Sequence, residues 1–166
     1  ILHILTKKDQ IVLHRHIFCH IDLVLLHHLI KEVDFMSKGE DKVESLLKAN
    51  GVLYQKEVKF KGLKSLKHKD LRFDFVVFNR NRQIVACIEV DGEQHFKPTK
   101  YFKQTGSKFK QAQERDRIKN NFCLMNHIPL IRIPYYDVNS LTFQKIFSTP
   151  EYIVKSIYHN DILSRR

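Results

Sequence analysis

Apolar positions in this chain change period several times, and each change marks an element. Before residue 36, Ile17, Ile21, Val24, Leu25 and Leu29 fall at helical spacing and form one stripe. Ser37-Lys38-Gly39-Glu40 has the form of a capping box. Val43, Leu46 and Leu47 give the helix that follows a buried stripe, and Asn50-Gly51 supplies a left-handed cap at its end. From Val52 to Phe60 the pattern alternates as in a strand, with Val58 and Phe60 on one face. Arg72-Phe73-Asp74-Phe75 and Cys87-Ile88-Glu89-Val90 lie in apolar and aromatic runs that predict two more strands. Asn79-Arg80-Asn81-Arg82-Gln83 between them has turn chemistry, so the pair reads as an antiparallel hairpin.

Further on, a helix is predicted from about Lys108 to Asn126, with Ile118, Phe122 and Met125 inside. Asp116 lines up with Phe109, Ala112 and Cys123, so it also faces inward. Pro129 to Pro134 reads as a short apolar strand framed by prolines. Phe143, Ile146 and Phe147 form a short helix, and Thr149-Pro150 opens a last one whose Ile153, Val154 and Ile157 pack inward. A strand reached from a hairpin through a helix fits a mixed sheet. The expected fold class is therefore α/β, a central mixed β-sheet flanked by helices, with no internal repeat or low-complexity tract.

Composition changes the picture through charge. The 166 residues are one domain's worth, 43% hydrophobic and 28% charged, with a formal net charge of +11. That excess argues for a polyanionic partner. Residues 1–35 contribute none of it, because Lys7, Lys8, Arg15 and Lys31 are matched by Asp9, Asp22, Glu32 and Asp34. The chain accordingly divides into an N-terminal segment, 1–35, and a domain, 36–166. Lys31-Glu32-Val33 can be encoded by codons that spell a bacterial ribosome-binding site, which makes Met36 an expected start and 1–35 an expected read-through of upstream sequence. The histidines of that segment (His16 and His20, or His14 and His28) have no cysteine or carboxylate at metal-site spacing, so an extra helix is the simpler reading. Cys19, Cys87 and Cys123 are widely spaced and suit a reducing interior, and no apolar run approaches the ~20 residues of a membrane span.

Against this basic background, acids gather at the hairpin. A turn centred on Asn81 sets Asp74 opposite Ile88 and Glu89, and strand alternation points Glu89 and Asp91 the same way. Three carboxylates thus converge at one end of the hairpin, with His95 just beyond. Hard divalent cations take oxygen ligands of this kind, and an imidazole beside them can move a proton. A solvated strand end is the bland alternative, but a polar face does not normally sit among Phe73, Phe75, Val77, Ile84, Val85 and Ile88. Lys97, Lys100, Lys103, Lys108 and Lys110 follow, interleaved with Tyr101, Phe102 and Phe109, a pattern that suits a nucleic-acid clamp with Arg115 on the next helix. A second basic run, Lys56 to Lys69, reads as a loop able to meet phosphate oxygens.

Asp74, then Glu89-Val90-Asp91-Gly92 with His95, resembles the PD-(D/E)XK nuclease superfamily, nearest the branch of very-short-patch repair endonucleases and the phage homing endonucleases called EDxHD. The resemblance covers roughly Ser37 to Pro134. It implies a restriction-endonuclease-like core and a metal-dependent DNA endonuclease or nickase of homing type, in a bacterial or phage-infected cell. Mg²⁺, with Mn²⁺ able to replace it, would be held by Asp74, Glu89 and Asp91. It further implies that a first-helix glutamate, Glu40, reaches the site and that an acid of the long helix, Asp116, completes the set. Where the superfamily's lysine stands, two residues after Glu89, this chain has Asp91, so that role passes to His95 or to a residue elsewhere. Lys119 and Arg115 are candidates to meet transition-state charge. Two alternatives stay open: a repair or junction-resolving nuclease, and a nuclease-like DNA-binding module without catalysis. A homodimer reading DNA through its loops is one arrangement consistent with the small size.

Overall fold

The computed structural model describes residues 38–96 and 109–159, with the backbone of 106–108. The helix expected in residues 1–35, the Met36 start, Ser37 of the capping box, and the side chains of Lys97, Lys100, Lys103 and Lys108 lie outside the described residues.

Helix α1 spans residues 38–49 and buries Val43 and Leu47 completely, one turn apart on one face. It stops where expected. Gly51 takes φ +63°, its N–H donates to Lys48 O at 3.1 Å, and Val52 N–H donates to Leu47 O at 3.1 Å, which satisfies the last carbonyls. Strands β1 (Leu53–Lys64), β2 (Asp70–Phe78), β3 (Ile84–Asp91) and β4 (Leu130–Pro134) then form one sheet in the order β1-β2-β3-β4. The first two pairings are antiparallel and β3–β4 is parallel, joined across one face by helix α2 (Gly106–Met125). This is the α/β fold with a mixed sheet that the patterning predicts.

Two apolar layers cover the sheet. Ala86, Ile88 and Val90 of β3 face α1, packing with Val43, Leu47 and Ile133. Cys87 faces α2, packing with Cys123, Leu130 and Phe122. Strand β2 breaks this parity. Phe75 and Val77 join the α1 layer, whereas Leu71 and Phe73, at the same parity, join the α2 layer with Val76. The strand therefore rolls over at Asp74. On the neighbouring strand Glu57, between the Lys56↔Phe75 and Val58↔Phe73 pairs, sits at φ +54°, so β1 bends at the same level.

Several element expectations need correction. Strand β1 runs on to Lys64, so the basic run is mostly strand, closed by a turn in which Ser65 N–H donates to Lys69 O at 2.9 Å and His68 takes φ +58°. Met125 is 71% exposed. Ile118 and Phe122 pack on the core from a partly exposed flank, and the fully buried stripe of α2 is Ala112, Asp116, Asn120 and Cys123, half of it polar. The last helix is not formed. After α3 (Phe143–Ser148), capped by Thr142, and a single 3-10 turn at Pro150–Tyr152, the β-branched pair Ile153-Val154 lies along the free edge of β4. Ile153 bridges Ile131, and Val154 N–H donates to Leu130 O at 2.9 Å.

Gly39 sets how closely α1 meets β3, because a Cβ there would stand 2.8 Å from Val90 Cγ1. Gly39→Val should lower the urea-unfolding free energy by about 1–3 kcal/mol through overpacking. A midpoint equal to wild type would show that the helix end is free to move away from the sheet.

Candidate active site

The β2–β3 turn fixes the register on which the site depends. Asn79 Oδ1 accepts from Asn81 N–H and Gln83 N–H, both at 2.9 Å, and Arg82 takes φ +59° to close the loop. Phe75 then pairs with Ile88, Val76 with Cys87 and Val77 with Ala86. One step further Asp74 comes level with Glu89, and the ladder ends because β2 rolls over. The Asp74 carboxylate takes up the freed backbone donor: Val90 N–H donates to its Oδ2 at 2.7 Å.

Burial dominates the electrostatics here. It pushes the Asp74 carboxyl up to about 6, against the opposing pull of Lys119 and the Val90 N–H, with Glu40 and Asp91 adding to the rise. Glu89 is buried and pushed up to about 7, again by burial first and with Asp74 contributing, while Lys119 and Arg132 pull it down. Lys119 Nζ donates to Glu89 Oε2 at 2.6 Å and lies 5.5 Å from the centre of the Phe73 ring. Glu89 Oε1 is buried with no hydrogen-bond partner among the described residues. Glu40, half-buried on α1, is raised by burial and then by Glu57, and also feels Glu89 from across the sheet. Glu40, Asp74, Glu89 and Lys119 thus form one electrostatic group.

A second polar cluster lies one step along the same face. Arg132 of β4 donates through Nε to Asp91 Oδ2 at 2.7 Å and through Nη2 to Asp91 Oδ1. Nη2 also reaches Asp116 Oδ1 at 3.0 Å, and Nη1 donates to Asn120 Oδ1 at 3.1 Å. His95 Nδ1 stands 2.8 Å from Asp116 Oδ2 and 3.7 Å from Asp91 Oδ1. Burial works to lower the His95 imidazole, but Asp91 and Asp116 outweigh it and hold it above its ordinary value. For Asp116 burial works upward, and Arg132 and His95 hold it well below the usual carboxylate range. Asn120 Nδ2 donates to Ile157 O at 3.2 Å, tying the C-terminal segment to the cluster.

Residues 43–148 match a family described as protein of unknown function, DUF2726, which is well over half of the chain. The chain belongs to the DUF2726 family. Neither the curated proteins nor the solved structures contain a match to it. In this DUF2726 chain the matched stretch holds Asp74, Glu89, Asp91, His95, Asp116, Lys119 and Arg132, and leaves Glu40 just outside.

Of the residues the sequence singles out, Asp74, Glu89 and Lys119 come together, and Glu40 acts on them through its charge from α1. Asp91 does not join them as a third ligand, because Arg132 occupies both its oxygens. His95 and Asp116 sit with Asp91 in the Arg132 cluster, away from the Asp74–Glu89 pair. Lys110 and Arg115 are exposed on α2. Sequence reasoning missed Arg132 and Asn120. The signal was there for Arg132, since a lone arginine inside Leu130-Ile131-Arg132-Ile133 must find buried acids.

Among the described residues no three His, Cys, Asp or Glu side chains are already grouped as a metal site. The donor set nonetheless fits Mg²⁺, which is commonly held by one or two carboxylates with water and phosphate completing its shell. The unpartnered Glu89 Oε1 and the raised Asp74 are the atoms a cation would satisfy.

These shifts make stability depend on pH. A raised carboxyl pKa means that the fold holds the proton more tightly than the unfolded chain does. The resulting stabilisation is complete below the ordinary values of 3.8 and 4.5 and is lost as pH rises through about 6 and 7. In EDTA at roughly pH 8, Asp74→Asn should therefore be more stable than wild type, by about 2 kcal/mol, with the gain vanishing toward pH 4. Urea midpoints at the two pH values check this, and a loss of stability at pH 8 would make Asp74 a structural ion-pair partner. Arg132→Met should behave oppositely and cost about 3–5 kcal/mol, because it strands two buried carboxylates. Adding Asp91→Asn to it should recover part of the loss. Unchanged melting of Arg132→Met would show the cluster to be dispensable.

Proposed function

We propose that this protein is a Mg²⁺-dependent DNA endonuclease or nickase, acting inside a bacterial or phage-infected cell, in which Asp74 and Glu89 hold the cation. The observation that carries the reading is a charge deficit at a dry site. Asp74 and Glu89 are both pushed up toward neutrality by burial although Lys119 and, at Glu89, Arg132 pull the other way, and Glu40 adds negative charge from α1. A divalent cation supplies the missing charge. The resemblance to the PD-(D/E)XK nucleases supports the same assignment, and the net charge of +11 supports a nucleic-acid substrate.

When bound there, Mg²⁺ would polarise a phosphate oxygen and lower the pKa of water. Lys119 does the rest of the positioning. Its ammonium fixes one oxygen of Glu89 and leaves the other, buried and without a hydrogen-bond partner among the described residues, to the cation. Lys119 is the candidate for the role of the absent motif lysine, since Asp91 is committed to Arg132, and it would meet negative charge that develops on the phosphate. Glu40 adds negative potential from α1. His95 is set on Asp116 by its Nδ1, and the two neighbouring carboxylates raise its affinity for a proton, so its part is to orient the chain after β3 beside the site.

Supercoiled DNA incubated with the protein and Mg²⁺ should become nicked or linear, and EDTA should prevent it. Asp74→Asn should slow cleavage by about a hundredfold or more while DNA binding persists. Glu40→Gln should keep the fold and reduce cleavage less. Normal cleavage by Asp74→Asn would mean the site is misplaced. The commitment of Asp91 to Arg132 favours one second reading, a DNA-binding module without catalysis. Tight DNA binding with no Mg²⁺-dependent cleavage would replace the nuclease reading with that one.

A further inference from the structure

A groove of about 830 Å³ runs between the tip of the β1–β2 hairpin and the first half of α2. Its walls carry Lys67 and Lys69 on the hairpin side and Lys110, Arg115 and Arg117 on the helix side. The two acids beside them are already used: Asp70 lies 3.8 Å from Lys59, and Glu114 lies 3.2 Å from Arg117. Lys69, Lys110 and Arg115 have no acid partner among the described residues. Five cations on two facing walls outnumber the two acids there and favour a polyanion whose backbone also carries apolar sugar surface.

Both walls lead to the carboxylates. Leu71 lines the groove three residues before Asp74, and Ile118 lines it immediately before Lys119. Lys110 and Arg117 are seven residues apart on α2, or about 10 Å of helix. Three successive phosphates of one DNA strand rise about 7 Å along the duplex axis, which this length of helix covers. At the hairpin tip Leu66 is 73% exposed between basic neighbours, an apolar surface that suits a deoxyribose or an unstacked base edge.

We propose that this groove is the track for the sugar–phosphate backbone of the DNA strand, holding about three phosphates next to the one presented at Asp74 and Glu89. The proposal rests on the nuclease reading for the direction of the strand but not for its binding chemistry. It makes Lys69 and Arg115 phosphate-binding residues, and it assigns the β1–β2 hairpin a substrate role in addition to its place in the sheet.

The test is anisotropy titration of a labelled duplex in EDTA over a range of salt concentrations, using full-length Asp74→Asn protein so that nothing is cut. Neutralising two groove cations (Lys69→Gln with Arg115→Gln) should weaken binding alike for unrelated sequences and lower the salt slope by about two. The matched control, Arg80→Gln with Arg82→Gln at the exposed β2–β3 turn, removes the same charge and should leave the slope unchanged. Equal losses in both pairs, or no loss in the groove pair, would overturn the track. So would a poly-glutamate peptide that binds as tightly as DNA and loses affinity in the groove pair alike. Failure of the wild-type protein to cut DNA with Mg²⁺ is a separate result that removes the nuclease reading and leaves this measurement standing.

Discussion

Arg132 is a guanidinium with a side chain only 1% exposed, and the arrangement of the polar face follows from the need to keep it charged and satisfied. Desolvating such an ion costs several kcal/mol, and a single carboxylate does not offset that with its other donors left bare. Asp91 takes two donors in a fork, Asp116 shares one, and Asn120 takes another. Three segments distant in sequence are thereby tied at one point: the end of β3, the middle of α2 and the middle of β4. Hydrophobic packing alone would leave these groups bare, since the fully buried stripe of α2 pairs Ala112 and Cys123 with Asp116 and Asn120, while Ile118 and Phe122 pack from its partly exposed flank.

That anchor sets the register of α2 over β3. Asp116 meets the level of Asp91, Lys119 meets Glu89, and Cys123 meets Cys87, whose thiol is pushed up by its contact with Cys123 and by burial. Two residues of strand rise about 6.6 Å, and three or four residues of helix rise about 5 Å, so the pairs stay matched over three levels. A slip of one helical turn would bring Arg115 or Cys123 opposite Glu89 in place of Lys119. The lysine of the candidate site is thus positioned by an ion cluster that never touches it, and by a helix that begins fifteen residues after Asp91.

How much of this could be read in the sequence follows the range of each interaction. The hairpin that levels Asp74 with Glu89 was legible, because turn chemistry and strand alternation are local. The mixed sheet was legible from the order of elements. The fate of Asp91 was not, because it is decided by Arg132, 41 residues away, through a parallel pairing that puts Glu89 beside Arg132. Local pattern also failed where tertiary edges competed with it. Ile153 and Val154 fit a helical stripe, but the unpaired edge of β4 offers them backbone partners. The roll of β2 at Asp74 likewise has no signature in Phe73-Asp74-Phe75, which reads as plain alternation although its two rings belong to opposite layers.

The two polar clusters share a face and a depth of burial, and their acids shift in opposite directions. Asp116 is held low and Asp74 and Glu89 are driven up, although burial presses on all three the same way. What differs is the local supply of positive charge. In the Arg132 cluster a guanidinium donates to both carboxylates and His95 stands against them, so these acids are met from within the cluster. Around Asp74 and Glu89 the pull of Lys119 and, at Glu89, of Arg132 does not offset burial, and both acids stay raised beside an exposed basic groove. A site kept short of positive charge in a protein rich in lysine is costly to the fold alone. It becomes favourable only when the missing charge arrives with something from outside, and phosphate drawn along the groove would arrive with a cation of its own.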